Sequence, residues 1–127
     1  MLCQRFIHTA VLFFVVGVSL GVYMGLTGNF TLLPVHAHIN LLGWVSMALI
    51  GLLYAHYPHL QRGRLPKLQY WLHLTGLVLM MSGLALLKTM NDTSFLFMVI
   101  TGSGMLIAAV LLLAYLVTAR LRIECAG

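Results

Sequence analysis

Four uninterrupted apolar stretches, near residues 6–26, 35–57, 68–87 and 94–119, decide what this 127-residue chain can fold into. Each is long enough to supply the ~20 helical residues that cross a ~30 Å hydrocarbon core. Only 7% of the residues are charged, whereas soluble domains carry roughly a quarter. The connections between the stretches are too short for a crossover, so sequential helices must run antiparallel and lie side by side. The expectation is an all-α integral membrane four-helix bundle forming a single domain over residues 1–127.

Charge placement gives that bundle an orientation. Arg5, Arg62, Arg64, Lys67, Arg120 and Arg122 fall at the N-terminus, the second connection and the C-terminus, which an even number of spans puts on one side. Lys88, close to Asp92 at the third connection, is alone on the other. Cytoplasmic loops carry the excess of Lys and Arg, so both termini are expected in the cytoplasm, and a bacterial inner membrane is the expected location. The net charge of +5 follows from this bias and does not point to nucleic acid.

The first stretch exceeds the 7–15 apolar residues usual in a signal peptide and lacks a small-residue cleavage site before Gly28, so it reads as a retained helix. Within it Gly17, Gly21 and Gly25 recur every fourth residue. Such a stripe lets another backbone, or the face of a flat ligand, come very close. Cys3 and Cys125 both fall at the cytoplasmic side, where disulfides are rare; they read as incidental thiols.

Pro34 suits the start of the second helix. That helix has a mixed stripe of His36, Asn40, Gly43, Met47, Gly51 and Tyr54, and an opposite one of His38, Leu42, Val45, Leu49, Leu52 and His56. In the third, Tyr70 and Trp71 read as interfacial anchors, Gly76 and Gly83 sit one heptad apart, and His73 is placed to hydrogen-bond His8 or His56. In the fourth, Gly102, Ser103, Gly104 and Ala108 form a small-residue packing face behind an Asp92 or Thr93 cap.

The chemistry-bearing feature is His36-Ala37-His38-Ile39-Asn40 at the head of the second helix. An ionisable side chain at membrane depth costs a few kcal/mol unless it is satisfied, so it is a functional candidate by default, and imidazole is the commonest metal and haem-iron ligand. At ~100° per residue His36 and His38 point about 200° apart, into two compartments. His38 and His56 share a face but lie about 27 Å apart along the axis, so they cannot hold one iron. His8, His56, His59 and His73 fall towards the cytoplasmic end without tight ligand spacing. The spans contain no acidic residue, and the chain has no phosphate loop, CxxC motif or nucleophile elbow.

His36-Ala37-His38 followed by Leu42-Gly43-Trp44-Val45, then Gly51 and Tyr54, resembles helix ten of the catalytic subunit of the haem-copper oxidase and nitric oxide reductase superfamily, in its cbb-type form. Tyr70-Trp71-Leu72 with Thr75-Gly76 is similar to that family's helix eleven. The resemblance implies that His36 matches the proximal ligand of a high-spin haem and His38 an axial ligand of a low-spin haem. It implies haem b as cofactor, with Lys88 the one cation placed to meet a propionate. Asn40 and the glycines Gly21 and Gly25 would line the haem site.

The family's subunit has at least twelve helices in three four-helix units, and its copper-binding histidines lie on helices absent here. The resemblance therefore implies one unit of that subunit, associating as a homotrimer, acting in electron transfer or in binding O2 or NO rather than as a standalone oxidase. A respiratory-chain redox partner goes with that reading. The alternative is a non-catalytic accessory or assembly subunit that handles copper or haem, with methionines such as Met47, Met80 and Met81 as soft ligands for copper.

Overall fold

A computed structural model describes Met1–Arg120; Arg122 and Cys125 lie outside the described residues. Four long helices account for almost all of it: α1 (Leu2–Thr27), α2 (Leu33–His56), α3 (Leu65–Met90) and α4 (Leu96–Arg120), with no strand among the described residues. Each span is long and apolar enough to cross a membrane, and the helices begin and end within a few residues of where hydropathy placed them. Short 3-10 turns at Pro58–Gln61 and Thr93–Phe95 carry the chain into α3 and α4.

Local chemistry sets the helix ends. Gly28 takes φ 65° after α1, where a side chain would be strained. Pro34 sits in the first turn of α2, where a missing N–H is harmless. Asn91 closes α3 in the left-handed region at φ 51°, and the Asp92 carboxylate then accepts the Ser94 N–H at 2.8 Å. That bond holds the Asp92 carboxyl below its ordinary pKa of 3.8.

The bundle is two hairpins, α1 with α2 and α3 with α4, each packed far more closely than the hairpins pack on one another. Glycines explain the intimacy. A Cβ at Gly102 would stand 2.6 Å from the Gly76 oxygen and 2.5 Å from the Met80 nitrogen, so α3 and α4 meet backbone to backbone. A Cβ at Gly83 would lie 2.6 Å from Met98 Cβ. Gly104 and Ala108, expected on the same packing face, point outward instead; only one side of α4 meets α3.

Two buried clusters join the hairpins. Towards the Arg-rich end, Phe6, Met47, Tyr54, Leu60 and Tyr70 pack together, with Phe6 edge-on to Tyr54 (5.5 Å between centroids) and Tyr70 (4.9 Å). Tyr70 is therefore interior and bonded to Thr9 Oγ1 at 2.9 Å, not an interfacial anchor as its position by Trp71 suggested. The anchor reading fits Trp71 alone, which is exposed. Gln61 ties the same end together, accepting from the Cys3 N–H and donating to the Tyr54 carbonyl. Towards the other end Val35, Ile39, Leu77, Met80, Met81 and Leu106 form the second cluster.

Helix α2 is not regular. Residues Ile39–Val45 form a π-helical segment, and the Ser46 N–H reaches back five residues to Leu41 O, with Ser46 Oγ on the same oxygen at 2.8 Å. Returning from i→i+5 to i→i+4 bonding leaves one carbonyl without a main-chain donor. That carbonyl is Leu42 O, and the buried His73 supplies the donor from Nε2 at 2.9 Å. His73 thus crosses to the π segment and not to His8 or His56.

Candidate functional site

The histidine pair straddles α2 as its spacing predicted, but its two members meet different surroundings. His36 lies in the seam with α1. Its Nδ1 stands 2.9 Å from the Gly17 carbonyl, and since a carbonyl only accepts, Nδ1 carries the proton. The ring lies on the bare Cα of Gly21, where a Cβ would be 2.8 Å from His36 Cε1. Asn40 fills the neighbouring gap: a Gly17 Cβ would stand 2.6 Å from its Oδ1. Asn40 Nδ2 donates to the His36 carbonyl at 2.9 Å. Its 3.3 Å approach to His36 Nδ1 sets two N–H groups side by side, because the shorter bond to Gly17 already uses that ring nitrogen as donor.

The glycine stripe of α1 is accordingly occupied by side chains of this chain. Gly17 receives Asn40 and Gly21 receives His36, while nothing approaches the Cβ position of Gly25. The small residues allow polar groups to be buried between two helices, each with a backbone partner.

His38 points the other way, into a groove between α2 and α4 floored by α3. Its Nδ1 donates to the Pro34 carbonyl at 2.7 Å, one turn back on its own helix. This bond leaves the lone pair on Nε2 and fixes the ring, which is how ligating histidines are usually held. A hollow of about 370 Å³ opens beside it, lined by His38, Leu42, Met80, Ser103, Leu106 and Ile107 among others. A second, of about 320 Å³, shares Leu42, Leu106 and Val110 and continues past Ser46 to His73. Together they have the size and apolar lining typical of cofactor and ligand sites. Ser103 Oγ donates to Met80 Sδ at 3.1 Å on the groove wall.

The other expected site residue, Lys88, is exposed at the same end of the bundle, beside a hollow of about 300 Å³ with Tyr23, Asn29, Thr31, Leu32 and Thr89. It belongs to neither the groove nor the His36 seam. The remaining histidines stay apart: His8 and His56 are exposed, and His59 Nε2 donates to the Arg120 carbonyl at 3.1 Å. Among the described residues no three His, Cys, Asp or Glu side chains gather as a metal site would require.

Sequence reasoning missed the role of His73 and the groove wall on α4.

No protein-family model, no curated protein and no solved structure matches the chain.

Proposed function

We propose that this is a membrane-embedded haem b protein in which His38 is an axial ligand, acting in electron transfer or in binding a diatomic gas such as O2 or NO. The observation that carries the reading is the His38 ring: its Nδ1–H is held by Pro34 O at 2.7 Å, which leaves the lone pair on Nε2, and the side chain lines an apolar groove. A flat apolar macrocycle needs a slot, a fixed imidazole and a polar edge. The α2–α4 groove offers the first two, and Ser103 is the polar side chain on its wall besides His38. Haem supplies a one-electron couple and an iron that takes diatomic ligands. The chain supplies orientation through Pro34, exclusion of water by Leu42, Leu106 and Ile107, and a weak polar contact through Ser103.

His36 has a different part in this reading. With its proton committed to Gly17 and its ring on Gly21, it braces α1 against α2. The groove is open on its outer side, which favours closure by another copy, and we retain the homotrimer as the assembly that would close it. Both termini face the cytoplasm in this arrangement.

A second reading draws on Met80, whose thioether lines the same hollow as His38. An imidazole and a thioether suit Cu(I), and an accessory subunit carrying copper would use them. Absorption spectra of the detergent-purified protein, oxidised and dithionite-reduced, separate the two. A Soret band with sharp reduced α and β bands supports haem b. Copper bound stoichiometrically to a protein without visible bands after expression with ample haem replaces it with the accessory reading.

A further inference from the structure

At the Arg-rich end of the bundle a cleft of about 260 Å³ opens between α1 and α3, lined by Met1, Leu2, Arg5, Lys67 and Trp71. Its two side-chain cations, Arg5 and Lys67, come from different helices and are exposed, and the Met1 α-amino group lies in the same cleft. The acidic side chain nearest in kind is Asp92, the only one among the described residues, and it lies at the opposite end. Lys67 is also in the first turn of α3, a helix with no side-chain cap and no acidic residue in that turn. A cation at the positive end of a helix dipole is unfavourable; a bound anion relieves both repulsions.

A second hollow lies farther along the same face of α3, on its α4 side. It measures about 430 Å³ and is lined by Leu74, Thr75, Val78, Leu79, Ser82 and, from α4, Met105. Thr75, Val78 and Ser82 follow Trp71 at four, seven and eleven residues, the spacing of one helix face. From Trp71 to Ser82 the shelf runs about 16 Å along the axis, close to half of a ~30 Å hydrocarbon core. A cationic cleft at headgroup depth, an exposed indole at the boundary and an apolar shelf one leaflet long are the parts of a phospholipid in the order a phospholipid has them.

From this juxtaposition we infer that the protein binds an anionic phospholipid between α1 and α3, its phosphate between Arg5 and Lys67 and one acyl chain on the shelf from Trp71 to Ser82. The site is independent of the haem groove, which opens on the α2–α4 side of the bundle. Juxtamembrane basic residues each contribute about fivefold to anionic-lipid affinity, so two convergent cations give a preference well above that of the bulk surface.

The test uses Trp71 as its own reporter in a Trp44→Phe background, which leaves Trp71 as the sole tryptophan. The full chain is reconstituted in vesicles with increasing mole fractions of brominated phosphatidylglycerol or brominated phosphatidylcholine, whose bromines quench indole on contact. Brominated phosphatidylglycerol is expected to quench at a mole fraction at least fivefold lower. Arg5→Gln with Lys67→Gln brings the two curves together, and Val78→Phe, which fills the shelf and leaves the charges alone, shifts the phosphatidylglycerol curve towards the other. Equal curves for the parent, or a preference that survives the double charge substitution, would overturn the proposal. Loss of the preference on adding millimolar inorganic phosphate at constant ionic strength would also overturn it, by reducing the site to a bare anion cleft.

Discussion

His36 and His38 are two residues apart, are both half-buried and hold their Nδ1 protons in the same way, each on a backbone carbonyl, yet one ring packs on the neighbouring helix and the other borders a groove. His36 reaches across to Gly17 on α1 and lies on Gly21, so its bond closes a seam. His38 turns back to Pro34 on its own helix, so its bond leaves the far side of the ring facing a groove. The glycines of α1 make the first arrangement; the loose approach of α2 to α4 makes the second.

The contrast can be broken from the seam side first. Gly21→Leu or Gly17→Leu inserts a branched side chain where His36 and Asn40 already sit. Each is expected to destabilise the detergent-solubilised protein by about 1–3 kcal/mol, the usual cost of overpacking, read as a lower thermal midpoint. A midpoint equal to the parent's would mean that the seam is not closed by these contacts.

His36→Ala comes next. It removes the ring donor to the Gly17 carbonyl, which keeps its partner within α1, and leaves a void over Gly21, at a cost of about 1–2 kcal/mol. Whatever chromophore the parent carries is retained, because His38 is untouched. Loss of the visible spectrum at full folded yield would transfer the ligand role to His36.

His73→Leu probes what lies behind the groove. His73 Nε2 serves the Leu42 carbonyl, while its Nδ1 and the nearby Gln69 Nε2 are buried without partners. Removing the imidazole deprives Leu42 O of its donor and relieves an unmet acceptor, so the two effects partly offset. The net loss is expected near 1 kcal/mol, with faster amide exchange confined to Ile39–Val45. A gain in stability would mean that the π segment does not depend on this bond.

The smallest effect on stability belongs to the groove itself. Ile107 is 62% exposed on its wall, so Ile107→Trp is expected to leave the thermal midpoint within the ±0.5 kcal/mol typical of exposed positions. Cofactor uptake in a titration of the apoprotein is nonetheless expected to weaken at least tenfold. Unchanged uptake would place the cofactor elsewhere.

The sequence carried the helices, because four apolar stretches allow little else, and it carried the opposed directions of His36 and His38, because two residues on a helix cannot share a face. It carried the small-residue seams only in part. Gly102 packs as expected, against Gly76, whereas Gly104 and Ala108 face outward, since which side of α4 meets α3 is settled by the partner and not by the stripe. Tyr70 shows the same limit: an amphipathic side chain near a helix end can anchor at the interface or find a buried hydroxyl, and Thr9 decides for the latter. The groove was not legible at all. Apart from His38, Met80 and Ser103 it is lined by ordinary leucines, an isoleucine and a valine, which come together only through the gap between two hairpins.

We propose that His38, and not His36, carries the cofactor. Reduced-minus-oxidised absorption spectra of the parent, His38→Ala and His36→Ala, each purified in detergent and matched for folded protein, test it most directly. The account predicts a Soret band and sharp reduced α and β bands in the parent and in His36→Ala, and their loss in His38→Ala. Bands that persist without His38, or a parent that stays colourless when expressed with ample haem, would contradict it.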